Sequence, residues 1–134
     1  MQHLASSPAA RASALTAGLW ALAAVQAVNG LSLALTPRRF YDAIADFGPY
    51  NAHDLRDMSA FFLASAVVLA VAAARKPSWR APALALVGLQ YALHGLNHLL
   101  DIGESDPSWV GPLDVALVGG GALLIAWLYR EATR

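Results

Sequence analysis

The chain has 134 residues, 57% hydrophobic and only 13% charged, with nine basic and nine acidic side chains that cancel. Soluble domains carry about 45–50% apolar and about 25% charged residues, and a soluble fold of this size could not hide so much apolar surface. The zero net charge gives no basic face for nucleic acid, and the absence of Cys excludes disulfides, thiolate nucleophiles and Cys-ligated metal sites.

Residues 1–12 are expected to be disordered. The first apolar stretch runs over 14–35. It follows Arg11 as a signal core follows its basic flank, but it exceeds the roughly 7–15 residues of such a core and reads as a retained helix. A polar loop from Pro37 to Asp57 comes next. Within it Phe40, Ile44 and Phe47 fall at i, i+4 and i+7 with Arg39, Asp42 and Asp46 elsewhere, the pattern of a short amphipathic helix on the outer leaflet, ended by Gly48 and Pro49.

The second apolar stretch starts at Met58. Asn51 is an N-cap candidate with Asp54 three residues on, which extends the helix to about 52–74. Asp54 reads as a charge complementing the helix dipole, and Arg56 and Asp57 as an ion pair anchoring the loop. A tight turn at Pro77 leads to a third helix over about 83–100. Pro112 suits the first turn of a fourth over about 112–129, where Asp114 again reads as a helix N-terminal charge. Gly119, Gly120 and Gly121 form a close-packing surface, not a phosphate loop, so no nucleotide is expected.

A span needs about 20 apolar residues, with about 17 the lower limit. The expected fold is therefore all-α: one transmembrane domain over 1–134, an antiparallel four-helix bundle with a short amphipathic helix in its first extracytoplasmic loop. Six basic residues (Arg11, Arg75, Lys76, Arg80, Arg130, Arg134) flank one side and three (Arg38, Arg39, Arg56) the other, where most acids also gather. That asymmetry predicts a multi-pass cell-membrane protein with both termini cytoplasmic. Trp79, Trp127 and Tyr129 then mark the inner interface and Trp109 the outer one.

The polar residues lie in the outer halves of the helices. Helix one offers Gln26, Asn29 and Ser32, and helix two His53, Asp57, Ser59 and Ser65. On helix three, Gln90, His94, Asn97, His98 and Asp101 share an arc of about 100°, while Gly88 and Gly95 lie on another face open to close helix approach. Such a stripe cannot face lipid, where each unsatisfied group costs several kcal/mol. It must face the interior, and intramembrane ionisable residues are functional candidates.

Three chemistries compete for it. Gln26, Asn29, His53, Gln90, His94, Asn97, His98 and Asp101 are candidates to line a pocket for a small ligand, quinone or lipid headgroup. His53, Asp57, His94, His98 and Asp101 are candidate ligands for zinc or another divalent metal in a hydrolase-like enzyme, since an i, i+4 pair presents two imidazoles to one ion. Two His from different helices are also candidate axial ligands of haem in an electron carrier. A hydrogen-bonded polar core with no ligand is the structural alternative. The expected partners are the bilayer and either further copies of the chain or a larger membrane complex.

From Ala14 to Tyr129 the helical order resembles the DoxX-like small four-helix membrane proteins. The sharpest local feature is the entry to helix two, Asn51-Ala52-His53-Asp54-Leu55-Arg56-Asp57, followed by a small-residue helix. The resemblance implies an accessory subunit of a membrane redox enzyme acting on quinones, and it assigns no site residue here.

Overall fold

The computed structural model describes residues 7–44, 48–105 and 107–134. These form helices α1 (Pro8–Leu35), α2 (Pro37–Ala43), α3 (Ala52–Ala74), α4 (Arg80–Leu100) and α5 (Val110–Ala132), with a 3₁₀ turn at Pro77–Trp79 before α4. No strand occurs among the described residues.

The helix boundaries follow from capping chemistry. α1 starts at Pro8, well before the apolar run and within the segment expected to be disordered. Ser7 Oγ accepts from the Ala10 N–H at 3.2 Å, and Pro8 occupies a first-turn position that needs no donor. Asn51 Oδ1 accepts from the N–H groups of His53 (3.0 Å) and Asp54 (3.5 Å) and starts α3 as expected. Its amide also donates to Asp54 Oδ2 at 2.7 Å. α5 begins at Val110, two residues before the position that Pro112 marks, and Ser105 Oγ accepts from the Gly111 N–H at 2.8 Å across the connecting loop.

Three helices, α1, α3 and α5, are long and apolar enough to cross a membrane. α4 has 21 residues, but Gln90, His94, Asn97 and His98 dilute its apolar content, so it does not join them on composition alone. The surface agrees with an apolar surrounding. Leu35 and Leu123 are each 75% exposed, and Val28, Val67, Leu86, Leu89, Leu93, Leu117 and Leu124 stand open beside them. Apolar exposure on that scale is foreign to soluble monomers.

α1 packs along α3, and α4 along α5. The α4–α5 contacts keep a constant antiparallel register: Gly88 faces Ile125, Tyr91 faces Gly121, Gly95 faces Val118 and His98 faces Asp114. The glycine face of α4 is thus where α5 approaches. In the other pair, a Cβ at Gly30 would come within 2.7 Å of the Leu63 side chain, so α1 and α3 also meet at a small residue.

The two pairs pack together at one end. The core cluster there comprises Leu15, Leu19, Leu22 and Ala23 of α1, Leu69, Ala72 and Ala73 of α3, Ala83, Leu84 and Val87 of α4, and Ile125 and Leu128 of α5. Arg80 ties that end together. Its Nε donates to the Ala72 carbonyl at 3.2 Å, and its Nη2 to the Ala73 carbonyl at 3.4 Å and to Thr16 Oγ1 at 3.3 Å. It thereby satisfies carbonyls that the end of α3 leaves without helical partners. Beyond Val87 no α4 residue is buried, and between Gly111 and Ile125 none of α5 is. At that opposite end the pairs stand apart.

Candidate functional site

The gap between the pairs is a cavity of about 580 Å³. α1 contributes Val25, Asn29 and Leu33. α3 contributes Leu55, Met58 and Phe62, with Asn51 and Asp54 at its entrance, while Gln90, Tyr91, His94 and His98 come from α4 and Asp114, Leu117 and Val118 from α5. The amphipathic segment closes over the end, with Phe40, Tyr41 and Ile44 lining the cavity. Phe47, expected on the same apolar face, lies outside the described residues.

Aromatic and ionic contacts hold that cover. The Tyr41 and Tyr50 rings meet edge to face at 5.3 Å, and the Tyr41 hydroxyl donates to the Gly48 carbonyl. Gly48 has φ of 71°, a left-handed conformation that favours glycine. The Arg38 guanidinium lies over both rings, 5.0 Å from the Tyr50 centroid and 5.7 Å from that of Tyr41. It also pairs with Asp42 at 2.9 Å. The hydrogen bond to Asp42, reinforced by its charge, raises the guanidinium further above its usual range.

The polar wall runs along α4. Gln26 of α1 is fully buried, and its amide Nε2 donates to Gln90 Oε1 at 3.4 Å, bridging the two pairs. One turn outward, His94 and His98 stack edge to face at 4.6 Å with their Nε2 atoms 3.2 Å apart. One ring donates its Nε2–H to the bare Nε2 of the other, the roles being set by tautomer. His98 Nδ1 lies 3.8 Å from Asp114 Oδ2, an ion-pair distance too long for a hydrogen bond. Asp114 Oδ2 is buried with no hydrogen-bond partner, and so is Gln26 Oε1.

Of the residues picked out in the sequence, Asn29, Gln90, His94 and His98 line the cavity, and Gln26 bonds to one of them. His53, Asn97 and Asp101 do not reach it. His53 Nε2 lies 3.5 Å from Asp57, with both side chains largely in the open. Asp57 therefore meets His53 in place of the expected Arg56 pair. Asn97 and Asp101 are exposed. The α4 stripe was expected to face the first two long helices. It faces α1 through Gln90 but α5 through His98, because the last α4 turns pack on α5.

This placement bears on the metal and haem chemistries. His53 and Asp57 sit at the mouth of α3, apart from His94 and His98, and Asp101 caps α4 on the outside. Among the described residues no three His, Asp or Glu side chains gather to hold a metal ion. Axial haem ligation by two helices would need a second helix to bring an imidazole to His94 or His98, and the exposed His53 does not do so.

Two groups of lining residues escaped the sequence reading. Asp114 was taken for a first-turn charge, but the earlier start of α5 carries it one turn in, to face His98. Phe40, Tyr41, Phe62 and Tyr91 supply aromatic walls. Nothing local distinguishes Phe62 or Tyr91 from core aromatics. Compared with known proteins, the chain matches no family model, no curated protein and no solved structure.

Proposed function

We propose that the protein is a small multi-pass membrane protein whose outward-facing, His-lined pocket binds a small amphiphile such as a quinone or a lipid headgroup. α4 is the fourth span, its polar stripe turned inward and its apolar face to lipid. The four long helices form an antiparallel bundle in the cell membrane with both termini cytoplasmic. The observation that carries the reading is the cavity of about 580 Å³ between the two helix pairs, apolar on most sides and polar along Gln90, His94 and His98. That size and balance match small-ligand sites, which are concave, mostly apolar and about 300–1,000 Å³.

The basic residues support the orientation. Arg11, Arg75, Lys76, Arg80, Arg130 and Arg134 flank the closed end, and the cavity opens at the other. An accessory role, as the DoxX-like resemblance implies, fits a chain that offers such a pocket. Gly119 and Gly120 have nothing within 4 Å of where a Cβ would sit. They leave α5 a small-residue face for a helix of a second copy or of a larger membrane complex.

Calorimetry in mild detergent tests the pocket, with decylubiquinone and a short-chain phosphatidylglycerol as probes. Saturable binding of at least one, near one per chain, is expected. His94→Ala should weaken it about tenfold, or about 1.4 kcal/mol. Binding of neither probe, or binding indifferent to His94→Ala and Gln90→Ala, would overturn the pocket.

A further inference from the structure

We propose that the pocket selects a lipophilic organic monocation, a ligand with one diffuse positive charge on an apolar body. The inference rests on the pocket reading and specifies its ligand class. It starts from the charges on the walls. The lining holds two carboxylates, Asp54 and Asp114, and no Lys or Arg among the described residues. Arg38 of α2, stacked on the rings of Tyr41 and Tyr50, is already paired with Asp42.

The two carboxylates differ. Asp54 sits at the mouth and accepts from the Asn51 amide at 2.7 Å. Asp114 lies deeper, with one buried oxygen that has no hydrogen-bond partner. The Asp114 side chain is 15% exposed and lies at ion-pair distance from His98 with no hydrogen bond to that oxygen, so a cation in the cavity supplies a contact it lacks. Phe40, Tyr41, Phe62 and Tyr91 line the same space. Their π-faces attract a diffuse cation, most strongly where water is excluded. An anion would meet two carboxylates.

Access favours an apolar body. Val25, Met58 and Leu117 line the cavity and are also 44–63% exposed, so the wall is open sideways where lipid would lie. Hydrophobic ligands can enter by that route without crossing the polar mouth.

The test compares tetraphenylphosphonium with its neutral relative triphenylphosphine oxide by calorimetry on the detergent-purified full chain. The expected result is at least a tenfold preference for the cation, lost in Asp114→Asn. Equal binding of the two probes, binding of neither, or a preference that survives Asp114→Asn would overturn the proposal. Decylubiquinone binding in the same preparation keeps the two ideas distinguishable: if it persists while the cation preference is absent, the pocket stands and its ligand is neutral.

Discussion

Arg80→Ala is expected to destabilise the fold by about 2–3 kcal/mol, measured by thermal unfolding of the detergent-solubilised chain followed by circular dichroism. Hydrogen bonds to charged groups contribute about 1.5–3 kcal/mol each. The three from Arg80 span 3.2–3.4 Å, and the side chain is only half-buried, so their sum is discounted accordingly. Two of the acceptors are carbonyls at the C-terminal end of α3, where a cation also meets the negative end of the helix dipole. The third is Thr16 of α1, so one side chain joins three helices. Arg80→Lys keeps the charge but cannot fork to three acceptors, and should lose about half as much. Thr16→Ala should cost about 0.5–1 kcal/mol. An Arg80→Ala protein as stable as the parent would mean that apolar packing alone closes this end.

The second large effect is expected at the α4–α5 contact beside the pocket. A Cβ at Gly121 would come within 2.7 Å of Cε1 and 2.9 Å of Cδ1 of the Tyr91 ring. An aromatic ring cannot yield as a flexible chain end does, so Gly121→Ala must move the ring or separate the helices. Overpacking of this kind costs about 1–3 kcal/mol. Tyr91 also lines the cavity, so its displacement should reduce probe affinity as well as stability. Adding Tyr91→Leu removes the rigid obstacle. In a double-mutant cycle it should recover most of the stability lost to Gly121→Ala, the signature of direct contact. Gly120→Ala, one position away with nothing nearby, should change little. Equal effects at 120 and 121 would contradict this packing.

The helices were legible because apolar runs and capping residues are local signals. Asn51 marked the start of α3 to the residue, and Gly88 and Gly95 marked the face on which α5 lies. Ser7 and Pro8 are an equally local cap, yet they precede the apolar run, and a reading by hydropathy passed over them. The polar stripe gave Gln90, His94 and His98 because their spacing puts them on one face. The same 100° arc also swept in Asn97 and Asp101, which the splayed end of α4 leaves exposed. Rotational position on one helix does not fix its distance from the next. For the same reason, matching depth could not bring His53 to His98, and no pattern within α5 announced that Asp114 faces α4. The cavity arises from how two helix pairs diverge, a tertiary property with no local mark.

Thiol labelling tests the central claim most directly, because the chain contains no Cys and each introduced one is alone. Asn29→Cys puts a thiol on the cavity wall, and Ser78→Cys puts one on the exposed turn before α4, at the opposite end. In intact cells a membrane-impermeant maleimide should label Asn29→Cys, more slowly when decylubiquinone is present, and should reach Ser78→Cys only after permeabilisation. Labelling of Ser78→Cys in intact cells, with Asn29→Cys protected until the membrane is opened, would contradict an outward-facing pocket.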